Sequence, residues 1–120
     1  MSLCVAAGGT ALLRIAATAF TLAWTHSVER VRWEEDWAVA PGGLTLVEAR
    51  VRGSAAGMEP APEARLSEGW WRWRPGRGPQ AELVLAASGA TPDGWTLCAA
   101  GTCREPGRFP GEPVRDYACD

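Results

Sequence analysis

The sequence lacks long apolar runs, lysine and any concentration of one charge sign. No apolar stretch approaches the roughly 20 residues that a membrane-spanning helix needs, so we expect no transmembrane segment. The 12 basic residues are all arginine, they are interleaved with 14 acidic residues, and the net charge is −2. Because no basic stripe results, the composition argues against a protein that binds nucleic acid by neutralising phosphates.

Motifs that mark common chemistries are also missing. There is no Cys-x-x-Cys pair and only one histidine, His26, which argues against a zinc site, and we expect neither metal nor cofactor. No Gly-x-Ser-x-Gly motif is present. His26 and Ser27 are neighbours on a predicted strand and would point to opposite faces, a poor arrangement for a base and its nucleophile. A hydrolase centred on His26 is therefore an alternative and not the favoured interpretation.

The alanine- and leucine-rich stretch from Thr10 to Trp24 resembles the apolar part of a secretory signal. Arg14 interrupts this stretch, no basic segment precedes it, and its second half alternates like a strand. We interpret it as part of the fold. The absence of an export signal predicts a cytoplasmic protein, whereas paired cysteines would indicate the periplasm.

Four cysteines occur at positions 4, 98, 103 and 119. The segment from Cys98 to Cys103 resembles the tip of a hairpin, where two sulfurs can face each other, and Cys4 and Cys119 would then tie the two ends of the chain. Four free thiols are the alternative, because a reducing cytosol keeps cysteines unpaired.

Short runs with the two-residue period of β-strands dominate the chain, and glycine- and proline-rich turns separate them. At 120 residues the length fits one domain over residues 1–120. We predict an all-β fold, either a small antiparallel β-sandwich or a partly closed β-barrel, with little or no helix. One helical turn is expected at residues 61–66. On the strand that follows Gly43, residues Leu44, Leu46 and Glu48 are expected to share one face.

Polar residues interrupt the apolar faces of two predicted strands. His26 lies among apolar side chains on the strand that begins at Phe20, and Ser27 and Glu29 share its opposite face. On the next strand Glu35 stands where an apolar residue is expected. A carboxylate there is costly unless it is paired, so Glu35 is a candidate partner for His26 or for an arginine.

The seven tryptophans divide into core and surface candidates. Trp70 alternates with Arg72 and Arg74 on one face of a strand, and an aromatic ring beside guanidinium groups suits an anionic or planar ligand, or a protein interface. Arginines that merely cover the ring are the alternative. Three others lie on predicted apolar faces and are assigned to the core: Trp24, Trp33 and Trp37.

Five motifs together resemble the bacterial family of domains of unknown function numbered 1850, over nearly the whole chain from Cys4 to Cys119. They are Trp24-Thr25-His26-Ser27-Val28-Glu29, Trp33-Glu34-Glu35-Asp36-Trp37, Gly53-Ser54-Ala55-Ala56-Gly57-Met58-Glu59-Pro60, Gly69-Trp70-Trp71, and Leu97-Cys98 with Gly101 and Cys103. The resemblance implies no established activity and no catalytic residue. It implies that such proteins are encoded beside tripartite ATP-independent periplasmic (TRAP) transporters of the TAXI type, and hence an accessory or regulatory role there.

The favoured hypothesis is a non-enzymatic domain that binds a TRAP transporter subunit or a small anionic solute. Glycines in the loop from Gly53 to Pro60 would let backbone amides approach an anionic group. A purely structural assembly protein is a further alternative. The predicted ligand- or partner-binding residues are His26, Ser27, Glu29, Glu35, Gly57, Met58, Glu59 and Trp70.

Overall fold

The structure is a computed structural model, and it describes residues 1–25, 31–52, 63–86, 95–106 and 111–119. All regular secondary structure in these ranges is β-strand, so no helix in them could span a membrane. The strands are β1 (Ser2–Ala7), β2 (Thr10–Ala16), β3 (Ala19–Thr25), β4 (Arg32–Ala40), β5 (Gly43–Arg52), β6 (Arg65–Ser67), β7 (Trp70–Trp73), β8 (Glu82–Leu85), β9 (Thr96–Ala99), β10 (Thr102–Arg104) and β11 (Val114–Cys119).

The strands form two antiparallel sheets that pack as a sandwich. The four-stranded sheet has the order β2-β1-β11-β8, and the seven-stranded sheet has the order β10-β9-β3-β4-β5-β7-β6. The prediction of a small all-β domain is confirmed, and of its two forms the sandwich is the one observed. We call the side of each sheet that faces the other sheet its inner face, and the opposite side its outer face.

The core lies between the inner faces, and alternation along the strands supplies it. Phe20 and Leu22 of β3 and Trp37 and Val39 of β4 are almost fully buried, and the rings of Phe20 and Trp37 stack with centroids 6.3 Å apart. Burial of such side chains stabilises the fold by roughly 1.5–3 kcal/mol each. The cluster of buried apolar residues comprises Leu3, Val5, Phe20, Leu22, Trp37, Val39, Leu44, Leu46, Leu85, Leu97, Ala99 and Val114.

A β-bulge in β5 corrects the predicted face of Glu48. Asp36 lies opposite Glu48 while the next residue, Trp37, lies opposite Leu46, so Val47 is an extra residue without a cross-strand partner. Val47 is 42% exposed. Because an extra residue reverses the alternation, Leu46 remains on the inner face and Glu48 moves to the outer face. The prediction that Glu48 shares a face with the preceding leucines is therefore wrong.

The helical turn predicted at residues 61–66 is also wrong where the structure describes it. Residues 65–67 form β6, which pairs with β7 around a two-residue turn. Glu68 and Gly69 of that turn have φ values of 51° and 86°, the left-handed conformation that tight hairpins require. Pairing with β7 thus overrides the weak helical preference of the segment. Residues 61 and 62 lie outside the described residues.

One glycine is required by a close backbone approach. Gly43 has a φ of 123°, and a Cβ atom there would lie 2.3 Å from the carbonyl oxygen of Gln80. Leu44 and Gln80 exchange two backbone hydrogen bonds at 2.7 and 2.8 Å. The absence of a side chain at position 43 therefore lets the segment before β8 pack against β5.

Two disulfides are present. Cys4 is bonded to Cys119, which joins β1 to β11, the two central strands of the four-stranded sheet. Cys98 is bonded to Cys103 across the β9–β10 hairpin, where the two residues lie directly opposite each other. All four cysteines are described, and none is free.

Asp116 is a carboxylate in the core. It lies on β11 between Val5 of β1 and Leu83 of β8, it is 0% exposed, and neither side-chain oxygen has a hydrogen-bond partner among the described residues. Burial raises the pKa of Asp116 to about 7.

Candidate functional site

The structure describes two of the eight predicted binding residues. Glu35 lies on the inner face of the seven-stranded sheet, opposite Ala49 of β5 and Leu22 of β3. Trp70 lies on the outer face, opposite Arg52. These two residues therefore belong to different surfaces and do not form one site. The other six lie outside the described residues: His26, Ser27, Glu29, Gly57, Met58 and Glu59.

Glu35 has a partner that the sequence analysis did not name. The indole Nε1 of Trp37 donates a hydrogen bond of 3.1 Å to Glu35 Oε1, because residues two apart on a strand point the same way. Burial raises the pKa of Glu35, while the Trp37 hydrogen bond and the charge of Arg77 act in the opposite direction. Of the predicted pairing between Glu35 and an arginine, the structure shows only that the charge of Arg77 acts to lower the pKa of Glu35. The Trp-x-Glu-x-Trp spacing is the signal that could have identified the indole.

A tryptophan cluster occupies the inner face beside Glu35. Trp24 and Trp33 stack with ring centroids 6.0 Å apart, Trp95 lies 4.8 Å from Trp24, and Trp73 meets Trp33 edge-on at 6.0 Å. Trp24 packs against the core and Trp37 is buried. Trp33 is half-buried, and its Nε1 is buried without an acceptor among the described residues. Most of this cluster acts as packing that extends the core.

The outer face of the seven-stranded sheet carries charged residues in a connected network. Arg50 donates to Glu34 Oε1 at 2.9 Å and to both oxygens of Asp36, at 2.8 and 3.2 Å. Thr21 Oγ1 donates to Asp36 Oδ1 at 2.9 Å, and Glu48 Oε2 lies 3.7 Å from Arg50. Arg50 is the centre of this network, and its side chain is only 12% exposed.

The pKa values of the network follow from these contacts. Burial alone would raise the pKa of Asp36, but hydrogen bonds from Arg50 and Thr21 and the charge of Arg72 lower it below its usual value. The hydrogen bond to Asp36 is the largest cause that raises the pKa of Arg50. Both groups are therefore charged at neutral pH, and each stabilises the other.

Replacing Arg50 with Gln is expected to lower the free energy of unfolding by about 2–3 kcal/mol, because it leaves half-buried carboxylates without their cation. It should also raise the pKa of Asp36, which NMR titration of the carboxyl carbon measures. Arg32→Gln is the matched control. Arg32 lies 3.5 Å from Glu34 and is 38% exposed, so its loss should cost less than about 1 kcal/mol. Equal losses in denaturant unfolding would contradict the central role of Arg50.

A groove at the β6–β7 end of the outer face has a volume of about 530 Å³, and we call it the arginine groove. In the wall of this groove, Arg72 Nη1 donates a hydrogen bond of 3.2 Å to Glu48 Oε1. Arg65 and Arg74 form no ion pair with any described residue. The described residues that line the arginine groove are Glu48, Glu63, Arg65, Ser67, Arg72, Trp73 and Arg74. With three arginines and two glutamates, the described part of the lining has a net charge of +1.

Trp70 lies close to the arginine groove on the same face. It is paired with Ser67 of β6, which lines the groove, and the guanidinium carbon of Arg52 lies 5.4 Å from the centre of its ring. This geometry is a cation–π contact. The structure thus places Trp70 beside arginines, and Arg52 covers part of its ring.

In the part of the chain that the structure describes, no group of three or more His, Cys, Asp or Glu side chains could hold a metal ion. The chemistry available on the outer face is recognition of negatively charged groups by guanidinium donors, which bind carboxylates in a planar, two-pronged geometry.

The fold and these surfaces define a small β-sandwich domain with a charged outer face and an arginine-lined groove. The chain belongs to the family described as a domain of unknown function, DUF1850, whose model matches residues 20–105. The matched range contains the seven-stranded sheet except for Ala19, the first residue of β3, and of the four-stranded sheet it contains only β8. No curated protein and no solved structure gives a significant match to the chain.

Proposed function

We propose that the chain is a non-enzymatic binding domain, that it acts as an accessory of a TRAP-type transporter of the TAXI type, and that the arginine groove binds carboxylate groups. The proposal that the groove binds carboxylates rests on Arg65 and Arg74. Both line one groove, and neither has an ionic partner among the described residues. The resemblance of the motifs to the family numbered 1850 supports the proposed role as a transporter accessory.

The groove suits a carboxylate for electrostatic and geometric reasons. Arg72 is paired with Glu48, so the remaining charges of the described lining are those of Arg65, Arg74 and Glu63, which sum to +1. Arg65 and Arg74 line the same open groove, and a guanidinium group can hold both oxygens of a carboxylate. The carboxylate can come from a small anionic solute or from an acidic segment of a transporter subunit.

The predicted residues outside the described ranges belong to the same proposal. His26, Ser27 and Glu29, with the loop from Gly53 to Pro60, would add polar contacts to a solute or subunit. The hydrolase alternative depends on His26, which lies outside the described residues.

Arg65→Gln combined with Arg74→Gln is expected to reduce binding at least tenfold, because both unpaired guanidinium groups are lost. Capture of the tagged chain from membranes that contain the transporter measures binding to a subunit. Calorimetric titration with succinate measures binding to a small carboxylate.

Arg14→Gln is the matched control, since Arg14 is an exposed arginine on β2 of the other sheet. Thermal unfolding should show that both variants are folded. A double variant that retains full transporter capture and full succinate binding would overturn the proposal. Loss in one assay alone would identify which source of carboxylate the groove takes.

A further inference from the structure

The Cys98–Cys103 disulfide stands at the opposite end of the seven-stranded sheet from the arginine groove. β10 is an edge strand of three residues whose partner among the described strands is β9. The disulfide spans only five positions of sequence, and the turn between its cysteines has two residues with left-handed φ, Ala100 at 49° and Gly101 at 79°. These are the φ values that a tight two-residue hairpin turn requires, so the disulfide closes a short hairpin at the edge of the sheet.

Both sulfur-bearing residues line a surface depression of about 540 Å³. Cys103 is exposed and Cys98 is half-buried. Most of the lining is apolar and includes the exposed bulge residue Val47. The one carboxylate that the lining contains among the described residues, Asp36, is bonded to Arg50 and therefore repels an incoming anion less than a free carboxylate would. A thiolate can reach the disulfide from this depression.

Cys103 is the more accessible of the two cysteines. It is exposed on the edge strand β10, whereas Cys98 is half-buried on β9, which is paired on both sides. Accessibility therefore makes Sγ of Cys103 the expected point of attack.

The second disulfide differs in its exposure and in its position in the sheet. Cys4 and Cys119 are both half-buried, and they join the two central strands of the four-stranded sheet. Opening that bond requires access to strands that are paired on both sides. Exposed disulfides are the ones that exchange readily with other thiols.

We propose that Cys98–Cys103 is a thiol–disulfide exchange site for a partner that carries two thiols. The thiolate of the partner attacks Sγ of Cys103, the disulfide breaks, and its electron pair goes to Sγ of Cys98, which takes a proton from water. A mixed disulfide between Cys103 and the partner results. The second thiolate of the partner then attacks the partner sulfur of that bond and releases Cys103 as a thiolate. The chain gains two electrons, and the partner is oxidised to its own disulfide.

The test compares both disulfides in the native wild-type protein, with dithiothreitol as the two-thiol probe. Samples are quenched with alkylating reagent over time, and peptide mass spectrometry measures the fraction of each cysteine that is labelled. We expect Cys98–Cys103 to open at least ten times faster than Cys4–Cys119, without denaturant. Equal rates, or faster opening of Cys4–Cys119, would overturn the proposal.

Two further measurements locate the attack and exclude general unfolding. With excess glutathione and an acid quench, the adduct is expected on Cys103, and an adduct mainly on Cys98 would overturn the assignment of the attacked sulfur. In the wild-type protein, guanidinium chloride at concentrations well below the unfolding transition should change the rate at Cys98–Cys103 less than twofold. A steep acceleration with denaturant would show that exchange requires opening of the whole fold, and the proposal would fail.

Discussion

Replacing Asp116 with Asn is expected to raise the free energy of unfolding at pH 8 by up to about 4 kcal/mol, and to change it little at pH 3. The two side chains have nearly the same shape, but only the carboxyl group ionises. In the native protein this group is fully buried without a hydrogen-bond partner among the described residues. The gain at pH 8 therefore comes from removing a buried negative charge.

The sign of the pH dependence follows from the two pKa values. The pKa of Asp116 is about 7 in the folded protein, because burial disfavours the charged form, against an ordinary value of 3.8. At pH values between these two pKa values, the folded state binds more protons than the unfolded state. The free energy of unfolding of the wild type therefore decreases as the pH rises from about 4 to about 7, and it does not change further through Asp116 above pH 7. The difference between the pKa values corresponds to about 4 kcal/mol.

Denaturant unfolding of wild type and Asp116→Asn at several pH values measures this effect. Asp36→Asn is the control of opposite sign. The pKa of Asp36 is lowered in the folded protein. The ionised form therefore stabilises the fold at pH values above the ordinary pKa of an aspartate, and this stabilisation is lost as the pH falls through the folded pKa. Its replacement should therefore destabilise the protein at pH 8 and matter less at pH 3. A stability difference between Asp116→Asn and wild type that is independent of pH would contradict the assigned pKa.

Removing the terminal disulfide is expected to have the second large effect. Replacing Cys4 and Cys119 with alanine should lower the free energy of unfolding by about 5 kcal/mol, because the bond closes a loop of 115 positions in the unfolded chain. The matched variant, Cys98→Ala with Cys103→Ala, should lose only about 2 kcal/mol, since its loop spans five positions.

Unfolding in guanidinium chloride under non-reducing conditions measures both losses. Both double variants remove one disulfide and two sulfur atoms, so the comparison isolates loop length and position. An equal loss in the two variants, or a larger loss for the hairpin bond, would contradict the chain-entropy explanation. Since domains of this size are stabilised by roughly 5–15 kcal/mol, the terminal bond supplies a large part of the total.

The charged outer face shows where strand patterns succeed and where they fail. Alternation along β7 places Trp70 with Arg72 on one face, and the structure has them so. Along β5 the same rule gave Glu48 the wrong face, since nothing in the local sequence marks Val47 as an extra residue. The bulge arises from pairing with β4, where Trp37 must stay on the inner face opposite Leu46.

Only part of the arginine groove could be predicted from the sequence. Trp70, Arg72 and Arg74 were recognised as a surface group, but Arg65 comes from a segment that was predicted as a helical turn. It reaches the groove because β6 folds back onto β7 and places Arg65 opposite Arg72. Asp116 was missed for a similar reason: its alternation with Arg115 is visible in the sequence, but which of the two faces the core depends on the other sheet.

The sequence by itself determined the class of this protein: an all-β domain, with apolar faces along β3 and β4, hairpin turns at glycines, and a cysteine pair across one hairpin. These features are local, because the two-residue period and the turn conformations depend on neighbours in the chain. Only the tertiary structure decided the sandwich, the direction of Glu48, the burial of Asp116 and the assembly of the arginine groove. Each depends on contacts between strands distant in sequence, and inner-face packing selects those contacts.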